Sequence, residues 1–229
     1  MPQASFIRSN TAESAVPLLP ELRLHLAREI TPVWEATETA AAGECPPPYW
    51  AFAWAGGVAL ARHLLDHPHL VAGRRVVDFA AGSGVVAIAA ARAGAASVLA
   101  LEIDSLAAAV IPLNATLNGV TVAVSCQDVV GQPLSHCDVL CAGDVCYERP
   151  MAERLFPWLQ AESRRGLLVL MGDPGRNYLP SHGLERLGFY RVPTSLELES
   201  REQRDTTVWR VLAAAAEGDG AQDGTRTGA

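Results

Sequence analysis

The sequence predicts an α/β protein with a Rossmann-like, seven-stranded, mostly parallel sheet and helices on both faces. An antiparallel hairpin closes the C-terminal edge, and a helical extension precedes the sheet. Three observations carry this reading. Val76-Val77-Asp78-Phe79-Ala80-Ala81-Gly82-Ser83-Gly84, followed by Leu99-Ala100-Leu101-Glu102-Ile103-Asp104, has the pattern of a buried strand, a glycine turn, a helix and a second strand ending in carboxylates. From Gly73 onward, strand patterns alternate with helical ones. The last two strand patterns have only a short link between them, which calls for an antiparallel pair at one edge.

Taken in order, Glu13 to Trp34 has apolar residues at helical spacing (Leu18, Leu22, Leu26, Ile30, Val33 and Trp34) and predicts an amphipathic N-terminal helix. Thr37 to Pro48 is alanine-rich and ends in three prolines, the composition of a loop. Trp50 to Leu65 reads as a helix entered through Gly56-Gly57. Strands are expected at 75–79, 97–102, 121–125, 138–143, 167–171, 189–197 and 206–212, and helices at 84–93, 105–118, 150–163 and 181–187. These divide the chain into an N-terminal extension and lid (1–72), a core (73–212) and a small, polar, glycine-rich tail (213–229) expected to be disordered.

Composition removes several classes of chemistry. At 229 residues the chain suits one full α/β domain. All 18 basic residues are arginine, so a Schiff-base lysine, a phosphate-binding P-loop lysine and a lysine base are excluded. The net charge is −7 and the arginines are scattered, which argues against a nucleic-acid partner. No apolar run approaches the ~18 residues of a membrane span, and Met1 to Asn10 lacks a secretory pattern. A cytoplasmic, monomeric protein is expected. The five cysteines (Cys45, Cys126, Cys137, Cys141 and Cys146) are odd in number and show no Cys-x-x-Cys spacing, as reduced thiols would. His63, His67 and His69 close a helix near Pro68, where histidine is favourable anyway, and no metal is expected.

Asp78 is the informative departure from a dinucleotide turn. An acid before the glycines suits a ligand that presents a cation, such as the α-amino group of S-adenosylmethionine, and does not suit the pyrophosphate of NAD. Gly82 and Gly84 let the backbone approach the ligand. Glu102, at the end of the second strand, can take both ribose hydroxyls; Asp104, two residues on, reads as a helix cap. Asp128 follows the third strand, where it can accept from the exocyclic amine of adenine. Each acid alone could equally be a cap or a solvated charge; three at successive strand ends beside a glycine turn point to S-adenosylmethionine.

Asp78-x-Ala80-x-Gly82-x-Gly84 resembles the first motif of class I, seven-β-strand methyltransferases, with Ala80 where the first glycine usually stands. Glu102 and Asp128 match that family's ribose and adenine acids, and Ile103 is grouped with them. Four further segments resemble the electron transfer flavoprotein β-subunit lysine methyltransferases. They are Pro47-Pro48-Tyr49-Trp50-Ala51-Phe52-Ala53-Trp54-Ala55-Gly56-Gly57, Gly143-Asp144-Val145-Cys146-Tyr147-Glu148, Gly172-Asp173-Pro174-Gly175-Arg176 and Thr206-Thr207-Val208-Trp209. The likeness spans residues 47 to 212. It implies S-adenosylmethionine-dependent N-methylation of lysine in a protein, with the electron transfer flavoprotein β-subunit as the implied substrate.

The same residues make physical sense without the family. Methyl transfer from a sulfonium needs a neutral amine held in line with the methyl carbon. Asp144, at the end of the fourth strand, can orient that amine and assist proton loss, or can cap a loop. Tyr147 can add a hydrogen bond or an aromatic face. Trp50 and Trp54, four apart, would share a helix face and either wall the site or pack in the core. Glu148, Asp173 and Arg176 are grouped with the substrate, Arg176 reaching a carboxylate or pairing with Asp173 to hold its turn. The alternative enzyme is a small-molecule, nicotinamide-like N-methyltransferase, which would need a pocket closed by the N-terminal helix and the 37–48 loop. A nucleic-acid amino methylase would carry two prolines between the positions of Asp144 and Tyr147, and they are absent. A non-catalytic binding module would not need Asp78, Glu102 and Asp144 together.

Overall fold

The structure is a computed structural model and describes residues 2–41 and 45–214. The N-terminal elements are α1 (Gln3–Asn10), β1 (Ala12–Val16), β2 (Leu19–Leu26) and α2 (Ile30–Ala41), followed by a 3-10 turn at Tyr49–Ala51. The body consists of α3 (Ala55–Asp66), β3 (Arg75–Phe79), α4 (Val85–Arg92), β4 (Ser97–Leu101), α5 (Ser105–Leu117), β5 (Ala123–Ser125), β6 (Val139–Gly143), α6 (Arg149–Arg164), β7 (Leu168–Asp173), β8 (Leu184–Pro193), α7 (Leu196–Glu199) and β9 (Gln203–Val211).

Seven strands form one sheet in the order β5-β4-β3-β6-β7-β9-β8. β3 to β7 run parallel, and β9 lies antiparallel between β7 and β8. Side chains alternate across the central strands with period two. Val76, Val139, Cys141 and Leu170 enter one core, while Val77, Leu140, Ala142, Val169 and Met171 enter the other. Burial on both faces explains why these strands read as continuous apolar runs. The chain leaves β3 for β4 and β5 on one side and returns to β6 and β7 on the other, so the crevice at the carboxyl ends of β3 and β6 is the switch point where ligands of such sheets bind.

The N-terminal region departs from the expected helix over Glu13 to Trp34. It forms the antiparallel hairpin of β1 and β2, with helices on either side. Leu18, Leu22 and Leu26 are four apart, a spacing that fits period two as well as period 3.6. Pro17 and Pro20 decide against a helix, and Leu18 takes the turn with φ of 64°. The buried residues of β2 include Leu22 and Leu24, on strand spacing. The hairpin is tied to α5 by Asn114, whose Oδ1 accepts from His25 N at 2.7 Å while its Nδ2 donates to Ser83 O at 2.8 Å. The expected 37–48 loop is partly helix, since α2 continues to Ala41.

Two other elements differ from expectation. The helix expected at 181–187 gives way to strand: β8 runs from Leu184 to Pro193, so the strand expected at 189–197 begins earlier and ends at Pro193. Leu184 and Leu187, three apart, mimic helical spacing but lie on opposite faces of the sheet, one against each core. The helix expected from Trp50 breaks at Phe52–Trp54, and Trp54 becomes the residue that caps α3. α3 lies within the segment expected as an extension, yet it packs on β7, β8 and β9 as one layer of the body. His63 on α3 meets Tyr190 Oη on β8 at 2.9 Å, which fastens that edge. The tail expected from 213 lies outside the described residues beyond Ala214.

Candidate active site

The cleft at the switch point is lined by Phe52, Trp54, Gly57, Asp78, the turn Ala80–Ser83, Val85, Val86 and Gly143. Asp78 is the penultimate residue of β3 and is 1% exposed. Its Oδ2 accepts from Ala87 N at 2.9 Å, capping the first turn of α4, whose own cap residue, Gly84, has no side chain to do so. Its Oδ1 is buried without a hydrogen-bond partner. Burial raises the Asp78 carboxyl to about 8, and the neighbouring Glu102 charge adds to the shift. A buried acceptor with no donor, at the wall of an open cleft, fits a ligand that brings a cationic N–H group.

The turn itself is left-handed in three places: Ala80 at φ 52°, Gly82 at 53° and Gly84 at 81°. Glu102 Oε2 accepts from Gly82 N at 2.8 Å, and its Oε1 accepts from Asp104 N at 3.0 Å. Each oxygen keeps a second lone pair for a ligand hydroxyl. Asp104 Oδ1 accepts from Leu106 N at 2.8 Å and caps α5 as expected. Ile103 beside them is 74% exposed, an apolar side chain open to a flat ligand. Asp128 is on the surface, three residues past β5. Its Oδ2 is paired with Arg154 at 2.8 Å, and this pair holds its carboxyl below the ordinary range.

The second half of the site is built on glycine-to-glycine contact. The N-terminus of α3 lies against the ends of β6 and β7. A Cβ on Gly56 would strike Gly172 O and come within 2.7 Å of Asp144 N; one on Gly143 would come within 2.7 Å of Gly57 Cα. This approach lets Asp144 Oδ2 accept from Gly56 N at 2.6 Å, so a residue 88 positions away caps α3. Asp144 is 7% exposed and sits at φ 59°, a conformation aspartate tolerates better than most residues. Burial pushes its carboxyl up, opposed by Arg176, whose Nε donates to Oδ1 at 2.5 Å.

Arg176 does not pair its side chain with Asp173. Asp173 Oδ1 accepts from the backbone N of Gly175 and Arg176 at 2.7 and 2.8 Å, which holds the turn, while burial raises its carboxyl to about 6. The Arg176 guanidinium instead bridges Asp144 and Glu199, and it lies 5.9 Å from the Trp54 ring. Tyr49, Trp54 and Tyr147 form an aromatic wall, with Tyr49 centred 5.7 Å from Trp54 and 5.3 Å from Tyr147. Burial raises the Tyr147 hydroxyl to about 12, so at neutral pH it is a donor. Glu148 is exposed at the start of α6.

The structure therefore brings Trp54, Asp78, Ala80 and Gly82 to the wall of one cleft, with Gly84 closing the turn, Glu102 bonded to Gly82 N and Ile103 next to Glu102. Asp144, Tyr147, Asp173 and Arg176 lie at and beyond the ends of the neighbouring strands β6 and β7. Trp50 is not among them: it is 1% exposed in a third core formed with Phe6, Ile7 and Val33. The helix break at Phe52–Trp54 leaves Trp54 both packed against that core and lining the cleft. Sequence reasoning missed Glu199 and Arg204, which complete the Arg176 network, and their segment carries no motif that would have singled them out.

Known proteins resemble this chain over most of its length. Residues 60–143 match the family model described as ribosomal protein L11 methyltransferase. The electron transfer flavoprotein β-subunit lysine methyltransferase of Danio rerio is 37% identical over 90% of this chain and 82% of its own length. The human protein of the same name is 35% identical over 90% of this chain and 80% of its own length. Among solved structures, magnesium protoporphyrin IX methyltransferase from Synechocystis, with bound S-adenosylhomocysteine, matches with a TM-score of 0.50 at 15% identity, covering 69% of this chain and 81% of that one. That likeness shows the fold alone. The chain is an S-adenosylmethionine-dependent methyltransferase and belongs to the electron transfer flavoprotein β-subunit lysine methyltransferase family.

Proposed function

We propose that this enzyme methylates lysine side chains of the electron transfer flavoprotein β-subunit, with Asp144 holding the amine. The observation that carries the proposal is the position of Asp144. It is a buried carboxylate at the end of β6, next to Gly143 of the cleft wall and beside the aromatic wall of Tyr49, Trp54 and Tyr147. The names of the relatives support the substrate.

S-adenosylmethionine, when bound, supplies a methyl group on a sulfonium. Asp78 Oδ1 would hold its amino group, the Ala80–Gly84 turn would receive it, Glu102 would accept from its ribose hydroxyls, and Ile103 would offer an apolar side chain to the adenine. Asp128 can accept from the adenine amine only by sharing its carboxylate with Arg154. The incoming lysine is an ammonium at neutral pH and must lose a proton before its lone pair can attack. Asp144 attracts the ammonium and orients the nitrogen, Tyr147 offers a hydroxyl or ring face, and the proton departs to water or to Asp144. Glu148 and Asp173 add negative charge around the approach.

The test is to incubate the protein with radiolabelled S-adenosylmethionine and purified electron transfer flavoprotein β-subunit. Label is expected on lysines of that protein. Asp144→Asn should keep cofactor affinity and lose about a hundredfold or more in turnover. Label confined to small molecules would overturn the substrate assignment, and full activity of the Asn variant would remove Asp144 from catalysis.

A further inference from the structure

Glu199 ends α7, in the link between β8 and β9, and is 4% exposed. Its two oxygens grip the two terminal nitrogens of Arg176: Nη1 donates to Oε2 at 2.9 Å and Nη2 donates to Oε1 at 2.7 Å. Arg204 Nε donates to the same Oε2 at 3.0 Å. The third nitrogen of the Arg176 fork, Nε, faces Asp144 Oδ1 at 2.5 Å. A guanidinium is planar and rigid, so fixing both terminal nitrogens fixes the direction of Nε–H as well.

The other oxygen of Asp144 is already held by the backbone of α3. With Arg176 in place, both ends of the carboxylate are pinned and its plane cannot turn. Without Glu199, Arg176 would be attached at Nε alone, on a long side chain with several free torsions. Two carboxylates and two arginines balance in charge here, so Arg176 is retained without an unpaired buried ion.

We propose that Glu199 is a positioning residue for methyl transfer, holding Arg176 against Asp144 so that the carboxylate meeting the substrate amine keeps one orientation. This rests on the role proposed above for Asp144. Glu199 acts only through Arg176 and touches no group assigned to either substrate.

The test compares the full-length protein with Glu199→Gln and Glu199→Asp. Arginine-selective NMR of the Arg176 Nε–H reads the hold directly and needs no substrate. Steady-state methylation of electron transfer flavoprotein β-subunit reads its consequence. Glu199→Gln is expected to lose the exchange-protected Nε–H signal and to lower kcat by about tenfold to a hundredfold, the scale of a misplaced reacting group. KM for S-adenosylmethionine should stay within about twofold, since Asp78 and Glu102 are untouched. Glu199→Asp keeps the charge but has shorter reach; it should restore part of kcat, and it serves as the readable variant if Glu199→Gln does not fold. An unchanged Nε–H signal, or a lowered melting temperature with unchanged kcat, would overturn the proposal and leave Glu199 a structural brace. If the wild-type enzyme leaves the flavoprotein subunit unlabelled, the substrate reading fails, while the NMR comparison still decides whether Glu199 holds Arg176.

Discussion

Replacing Asp78 by Asn is expected to make the free protein more stable and a poorer methyl-donor binder. The Asp78 carboxyl is raised to about 8 in the folded chain, from an ordinary value of 3.8, chiefly by burial. The sign follows from linkage. Below pH 4 the group is protonated whether the chain is folded or not, and it contributes nothing. Between about pH 4 and 8 the unfolded chain releases the proton and the folded chain keeps it, so stability falls as pH rises. At 1.36 kcal/mol for each pH unit above 3.8, the cost reaches about 4 kcal/mol at pH 7. Asn carries an oxygen that can still accept from Ala87 N and has no charge to desolvate, so the variant recovers up to that amount. The same variant lacks the carboxyl whose proton a cofactor amine would displace, so the ion pair that forms on binding is lost. Loss of a hydrogen bond between charged groups, about 1.5–3 kcal/mol, corresponds to binding weakened by roughly tenfold to a hundredfold. Urea denaturation of both proteins from pH 5 to 8 and calorimetric titration with S-adenosylmethionine measure the two halves. Stability curves that run parallel with pH, or unchanged cofactor affinity, would refute the reasoning.

Two further substitutions test the backbone around the site. Ala80→Gly relieves a left-handed alanine at φ 52°. The strain of about 1–2 kcal/mol exceeds the entropy cost of glycine, about 0.5–1 kcal/mol, so denaturation should show a gain of about 0.5–1 kcal/mol, and a loss would contradict the strain argument. Gly56→Ala places a Cβ against Gly172 O and Asp144 N, both backbone atoms that can yield only by moving α3. It should cost about 1–3 kcal/mol in thermal unfolding. It should also reduce turnover more than cofactor affinity, because Asp144 Oδ2 loses its seat; wild-type kcat would show that this contact does not matter to the reaction.

What could be read from the sequence tracks how local the deciding physics is. β3, β4, β6 and β7 were legible because strands buried on both faces leave continuous apolar runs bounded by glycine and acid. Asp78 is legible because a strand end followed by a glycine turn fixes where a carboxylate must point, and Glu102 because it closes the next strand of the same unit. The N-terminal hairpin was not, because leucines four apart satisfy both periods and only the prolines break the tie. The first part of β8 reads as helix because Leu184 and Leu187 serve opposite faces, which looks helical at a spacing of three. Glu199 was beyond reach: its helix has four residues, too few for a period, and its partner Arg176 lies 23 positions away.

The acids of this site also show that a capping reading and a binding reading need not compete. A carboxylate has two oxygens, and what distinguishes one acid from another is what remains after the backbone has taken its share. Asp78 gives Oδ2 to α4 and keeps Oδ1 unpartnered at the cleft, the arrangement expected where a ligand supplies the missing donor. Asp144 gives Oδ2 to α3 and Oδ1 to Arg176, so an amine arriving there must share an oxygen with a guanidinium already in place. Asp128 is spent on Arg154 at the surface and is the weakest candidate of the three strand-end acids. The helix caps put these carboxylates in place at the switch point, and the oxygen left over after capping sets what each can bind.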